Sequence, residues 1–405
     1  MIVPFFRPAI GEGEINEVVE TLRSGWLTTG ARAKRFESEF AAAVGAPHAL
    51  AVNSCTAALH LAVEALGLCA GEAVLVPTMT FAATAEVVRY LGAIPVLVDC
   101  EPDTLLLDRR DVAEKAAALA GGRPVVGVTA PARLAGIIPV HVAGVMVDLD
   151  WVSALAREHG LWVVEDAAHS FPAAWRASGQ EAWRACGAGG SDVACFSFYA
   201  NKTITTGEGG MATTHRPDLA DRMRVMSLHG ISRDAWKRYS EAGSWYYEIA
   251  APGFKYNLTD VAAAIGLAQL ARAEALLAAR ERIAHAYLEA LADCTEVELP
   301  PAPADRRHSW HLFYLRLRLD RLRIDRAAFI EELKRRGVLC SVHWMPLHLH
   351  PYYRDTFGLR PEDFPVATAL WPRLVSLPIF PAMSDAELAQ VVTAVKEVCR
   401  RFARQ

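Results

Sequence analysis

Ser197-Phe-Tyr-Ala-Asn-Lys-Thr-Ile-Thr-Thr-Gly-Glu-Gly-Gly210 is the stretch on which the fold turns. The apolar run over 193–198 reads as a buried strand, and it gives way to Lys202 and then a glycine-rich turn. Upstream, a second apolar run over 161–165 ends in Asp166. Open α/β sheets hold their ligands outside the carboxyl ends of their strands, so an amine and a carboxylate at two strand ends mark one pocket. A lysine at a loop start is ordinarily solvated, and an aspartate after a strand ordinarily caps a helix. The small and apolar neighbours of Lys202 and the Gly207-Glu-Gly-Gly210 turn argue instead for a desolvated ammonium with a lowered pKa.

Outward from this stretch, short apolar runs at 74–76, 95–98 and 137–140 alternate with helical patterns at 56–66, 81–91 and 149–159. That alternation predicts an α/β architecture with a mostly parallel sheet covered on both faces. After Asn257 the character changes: 258–288 is rich in Ala and Leu at helical spacing and reads as one long helix joining two domains. Beyond it, 312–319 reads as a strand, and 326–336 and 386–402 as amphipathic helices. The expected division is a large domain, 1–275, and a smaller α+β domain, 276–405.

The chain has 405 residues and is 52% hydrophobic, enough for a large core and a second, smaller one. A net charge of -4 gives no reason to expect nucleic acid or an anionic membrane as partner. Eight scattered cysteines with no Cys-x-x-Cys pair read as reduced thiols. The leading Met1-Ile-Val-Pro-Phe-Phe-Arg7 lacks the pattern of a signal peptide, and no apolar run is long enough to suggest a membrane span, so a cytoplasmic location is expected. No metal is expected either, since His343, His348 and His350 are spaced five and two apart and Pro346 breaks any helix there. No Gly-x-Gly-x-x-Gly follows a strand, which removes the support for a nicotinamide site.

A lysine that forms a Schiff base and a carboxylate that keeps a pyridine nitrogen protonated are what a pyridoxal 5'-phosphate (PLP) enzyme draws from its protein. Lys202 and Asp166 supply both. Asn53-Ser-Cys-Thr-Ala-Ala-Leu59 opens a helix with small hydroxyl residues, and free N–H groups there suit a phosphate, with Thr56 and Ala57 as candidates. A plain N-cap explains the same residues. Phe81 opens another helix and either stacks on a flat ring or fills the core. His169 either contacts a ring hydroxyl or packs as an ordinary buried histidine. Ser197 either binds phosphate or satisfies nearby backbone.

Six stretches, Gly25-Trp-Leu-Thr-Thr-Gly30, Asn53 to Leu59, Pro139-Val-His-Val-Ala-Gly144, Glu165-Asp-Ala-Ala-His169, Phe196 to Lys202 and Gly253-Phe-Lys-Tyr-Asn-Leu-Thr-Asp260, together with Leu377-Pro-Ile-Phe-Pro-Ala-Met383, resemble the DegT/StrS family of PLP-dependent nucleotide-sugar aminotransferases over nearly the whole chain. The resemblance implies the type I, aspartate aminotransferase-like fold and a homodimer. It implies that Lys202 carries the Schiff base, Asp166 pairs with the ring nitrogen, His169 sits near the ring hydroxyl and Phe81 stacks on the ring. Thr56, Ala57 and Ser197 would bind phosphate, and Asn257 would reach the phosphate of the partner subunit's cofactor. Thr29, His229 and His343 fall where family members contact sugar or nucleotide.

The Gly25 and Tyr256-Asn257-Leu258-Thr259-Asp260 stretches look most like enzymes that aminate C4 of a UDP-4-keto sugar, with L-glutamate as donor and pyridoxamine phosphate as the intermediate form. Such products enter surface glycans and lipopolysaccharide. A dTDP- or GDP-linked sugar, a non-sugar cyclic ketone, and a non-catalytic binding or regulatory role on this fold are the alternatives. Related sugar dehydratases carry histidine where this chain has Lys202. Two segments, 121–133 and 175–190, look longer than is usual for the family, and the second lies between Asp166 and Lys202.

Overall fold

The computed structural model describes residues 1–177, 180–231 and 247–404. Its centre is a seven-stranded sheet with the order His48–Val52, Gly210–Thr214, Val193–Ser197, Trp162–Asp166, Leu134–Ile137, Ala73–Pro77, Ile94–Val98. Only Gly210–Thr214 runs against its neighbours; the remaining pairings are parallel. Nearly every strand residue is buried, as continuous apolar runs covered on both faces require.

Polar caps fix where the flanking helices begin. Ser54 accepts from the Ala57 N–H at the start of Cys55–Ala65, and Asp148 accepts from Trp151 at the start of Leu149–His159. The latter helix stops at Gly160, whose φ of +65° suits a residue without a Cβ. Asp385–Phe402 opens with a full capping box between Ser384 and Glu387.

The expected strand at 137–140 sits three residues earlier. Pro139 has no N–H to give a ladder, and Val140 makes only an isolated bridge to Asp166. The long helix expected over 258–288 is two helices, Asp260–Ala271 and Ala273–Ala290, bent by 63°. Near the break, Gln269 donates to the Ala9 carbonyl and to Glu14, and Arg272 pairs with Glu14. Polar contacts with the N-terminal segment therefore redirect a stretch whose local pattern is uninterrupted. Among the described residues no single helix is long and apolar enough to cross a membrane; only this bent pair passes on combined length and composition.

A second sheet, Val297–Glu298, Phe313–Leu317 and Leu374–Leu377, is antiparallel and packs with Tyr287, Phe329 and Val395 in its own apolar cluster. Leu347, Tyr353 and Phe364 lie instead in the core of the large sheet. Segment 175–190, of which 178 and 179 lie outside the described residues, contributes Arg184–Ala185 to a small sheet with Ala174–Trp175 and Arg306–Arg307. Guanidinium groups of Arg184 and Arg306 lie over the buried Trp175 ring, 5.0 and 5.8 Å from its centroid.

Candidate active site

The carboxyl ends of Trp162–Asp166 and Val193–Ser197 open into a cavity of about 480 Å³. Lys202, Asp166, His169, Thr56, Phe81, Ser197 and His343 all line it. Lys202 follows the turn after Ser197, its N–H bonded to the Tyr199 carbonyl. Desolvation pulls its ammonium down to about 8, against the opposing pull of Cys55 and Asp166. A larger fraction of the amine is therefore neutral near pH 8 than in an exposed lysine.

Asp166 is buried, and burial raises its carboxyl pKa. Hydrogen bonds oppose that rise: Thr84 Oγ1 donates to Oδ2 at 2.7 Å and the Ala168 N–H donates to Oδ1 at 3.2 Å. The anion is thus oriented from two sides and gains most from a cationic N–H in the cavity. His169 accepts from the Ala143 N–H at Nδ1, 3.3 Å, so the neutral ring carries its proton on Nε2. Burial, with Lys202 and His343 nearby, keeps that ring uncharged by lowering its pKa far below the usual value. Trp344 stacks on it at 5.0 Å.

Phe81 is 62% exposed, which removes the core-aromatic reading and leaves an open ring face at the cavity. The Ala57 N–H is already engaged by Ser54 Oγ at 3.1 Å, so the plain cap accounts for Ala57, which does not line the cavity. Thr56 does line it, and its hydroxyl makes no hydrogen bond among the described residues. Ser197 Oγ accepts from the Tyr199 N–H at 3.4 Å and also faces the cavity.

Thr29, His229 and Asn257 are gathered elsewhere, on a second cavity of about 940 Å³. Lys255 donates to Asn257 Oδ1 at 2.6 Å, and Asn257 Nδ2 donates to Thr29 Oγ1 at 2.7 Å. Thr29 passes the chain on to the Leu258 carbonyl at 2.5 Å. His229 has a φ of +57°, uncommon for a residue with a side chain. The three expected sugar contacts are therefore split, with His343 at the Lys202 cavity, its Nδ1 2.9 Å from Ser376 Oγ.

The residues missed in the sequence are Thr84, Trp344 and His311. Thr84 is the second residue of the helix Ala83–Tyr90, where an hydroxyl pointing back to a strand end gives no pattern of its own. Trp344 stands beside His343, in a histidine-rich stretch where an indole gives no signal of its own. His311 reaches the cavity from beyond residue 300, with no sequence signal linking it to Lys202.

The donor set fits PLP. An amine and a carboxylate face one cavity with an open aromatic face and a helix N-terminus bearing an unpaired hydroxyl. The glycine turn completes the cradle: a Cβ on Gly210 would lie 2.5 Å from the Ser54 carbonyl carbon, so only glycine lets the two backbones meet. Segment 175–190 contributes no lining residue among those described.

Known proteins agree with this architecture. SpsC of Bacillus subtilis strain 168, a spore coat polysaccharide biosynthesis protein, is 43% identical over 400 residues, covering 98% of this chain and 97% of that protein. Among solved structures, Spr1654 from Streptococcus pneumoniae, a proposed sugar aminotransferase in its PLP form, superposes with a TM-score of 0.86 at 30% identity, covering 99% of each chain. DesV of S. venezuelae gives 0.84 at 32%, also covering 99% of each. A family model matches residues 8–396, and with it the chain belongs to the DegT/DnrJ/EryC1/StrS aminotransferase family.

Proposed function

We propose that this chain is a PLP-dependent sugar aminotransferase that moves the amino group of L-glutamate to a nucleotide-linked keto-sugar. C4 of a UDP-4-keto-6-deoxyhexose or 4-keto-pentose is the preferred position. The observation that carries the reading is the meeting of Lys202 and a Thr84-oriented Asp166 at one cavity. When bound, PLP supplies the carbonyl carbon that takes up and returns nitrogen, and a ring that accepts the electron pair left by a departing proton.

The protein does the rest. Asp166 holds a proton at the ring nitrogen through Oδ1 or Oδ2. His169 donates from Nε2 toward the ring hydroxyl, and Phe81 covers one ring face. Thr56, with Ser197, binds phosphate at the helix N-terminus. Lys202 Nζ takes a proton from the donor's Cα and later delivers one, a task suited to an amine with pKa near neutrality. Asn257, with Thr29 and His229, serves the site of a partner subunit in a homodimer, and His343 contacts the sugar nucleotide.

The chain acts in the cytoplasm on diffusible substrates, with 1–275 and 276–405 as its large and small domains. The amino-sugar made would enter a surface polysaccharide or lipopolysaccharide, and the similarity to SpsC, a spore coat polysaccharide biosynthesis protein, supports the first. The test is the visible absorbance of the PLP-loaded protein before and after L-glutamate, followed by UDP-, dTDP- and GDP-linked 4-keto sugars. Loss of the visible band with glutamate and its return with one keto-sugar is expected. A folded, PLP-supplied protein with no visible band would overturn the reading.

A further inference from the structure

We propose that His311 is a positioning residue for Lys202, its Nε2 holding the ε-amino group whenever that group is free of the cofactor. The inference rests on the role given to Lys202 above. His311 Nε2 lies 3.5 Å from Lys202 Nζ, at the outer edge of hydrogen-bond reach. The imidazole is buried, faces the cavity and packs on the His169 ring with centroids 4.1 Å apart.

Its placement is fastened from several sides. Trp310 takes a φ of +50°, unfavourable for a bulky residue. The Trp310 N–H donates to His308 Nδ1 at 2.8 Å, and the two rings stack at 3.9 Å. Ser309 Oγ donates to the His169 carbonyl at 2.5 Å, and the Leu312 N–H donates to the Ala143 carbonyl at 3.3 Å. Buried Arg280 donates to the Trp310 carbonyl at 3.2 Å. Strain held by this many contacts aims one side chain, and that side chain is His311.

Among the described residues, Lys202 is the one hydrogen-bond partner of the His311 ring, at Nε2, and Nδ1 has none. The groups that bear on the ring are Lys202, His169, His343 and Arg280, all cationic or able to become so, and with burial they keep the imidazole neutral. A neutral Nε2 accepts a hydrogen bond from Lys202 without adding a positive charge beside it. Cys55 and Asp166 are the groups on the opposite account, favouring the ammonium.

The test follows PLP capture by full-length enzyme freed of cofactor, read as visible absorbance across pH. Only the neutral amine captures, so the wild-type rate should rise with pH and inflect at about 8. H311L should slow capture about tenfold on the alkaline plateau, where the amine is neutral in both proteins and only its placement differs, and should move the inflection to lower pH because the ammonium loses an acceptor. H311Q, whose amide reaches the position of Nε2, should recover the rate to within about threefold and restore the inflection. Should H311L fail to fold, H311N replaces it, since its shorter amide leaves the Nε2 position empty.

A folded H311L (or H311N) with wild-type rate and inflection would overturn the proposal. So would an H311Q as impaired as H311L, which would assign His311 to packing alone. A wild-type protein that captures no PLP at any pH would instead strike at the functional reading itself.

Discussion

The two cavities are built from different material. The one at Lys202 is assembled from strand ends and buried polar groups, each held by a near neighbour: Asp166 by Thr84, His169 by the Ala143 N–H, Lys202 beside His311. The one at Asn257 is wider, with Trp26 and Asp260 on its wall, and its polar chain runs from Lys255 through Asn257 to Thr29 rather than joining an amine to a buried carboxylate. On the function proposed above, one surface carries chemistry and the other carries contacts for the site of a partner subunit. The difference teaches that a candidate residue is judged by what surrounds it: Asp166 is buried between Thr84 and the Ala168 N–H, and Asn257 links Lys255 to Thr29.

Lys202→Ala should break the contrast outright. Loss of the group that moves the proton is expected to lower the glutamate half-reaction by at least about a thousandfold, measured by stopped-flow absorbance. Retained turnover would take the chemistry away from this cavity. Asp166→Asn keeps the shape and removes the charge. A fall of about a hundredfold or more in the same half-reaction is expected, with PLP still bound.

Asn257→Ala sharpens the comparison, because its defect should belong to the neighbour. Alone it should weaken PLP binding by about tenfold, measured by equilibrium titration. Mixed and reassembled with Lys202→Ala at a PLP concentration too low to fill Asn257→Ala alone, it should give about a quarter of wild-type activity, since about half of randomly reassembled dimers are hybrids and each hybrid holds one intact site of two. No recovery from a verified hybrid would mean that each chain completes its own site. The smallest effect is expected for Thr84→Val, which removes one hydrogen bond to Asp166. Activity should drop about threefold to tenfold, and the pH at which the half-reaction fails on the acid side should rise. The upward direction follows because Thr84 opposes the burial that raises the Asp166 pKa.

Much of the fold was legible because the parallel strands carry their signal in unbroken apolar runs, and 193–198 and 161–165 fall on real strands. His48–Val52 and Gly210–Thr214 were not read. The second is Gly-Met-Ala-Thr-Thr, small and polar letters that become a strand only when the neighbouring strand ladders pair with them. The break at Arg272 was equally hidden, since its cause is Glu14 and Ala9, more than 250 residues away.

At the site, Lys202 and Asp166 announced themselves by position at strand ends. Phe81 did not, because core and cavity aromatics look alike until exposure is known. At Ala57 the helix starts within a residue of where its pattern begins, and Ser54 Oγ occupies the Ala57 N–H. His311 was out of reach of any local reading, for it depends on a turn pinned by Arg280, His169 and Ala143 together.

The contact of Gly210 with Ser54 carries one more consequence. Two stretches more than 150 positions apart meet backbone to backbone with no room for a methyl group between them. The walls that receive a ligand are thereby rigid before it arrives, and little conformational entropy is lost on binding. Gly210→Ala would leave every named polar group in place and still force this end of the pocket apart, turning a preorganised receptor into one that must be rebuilt for each encounter.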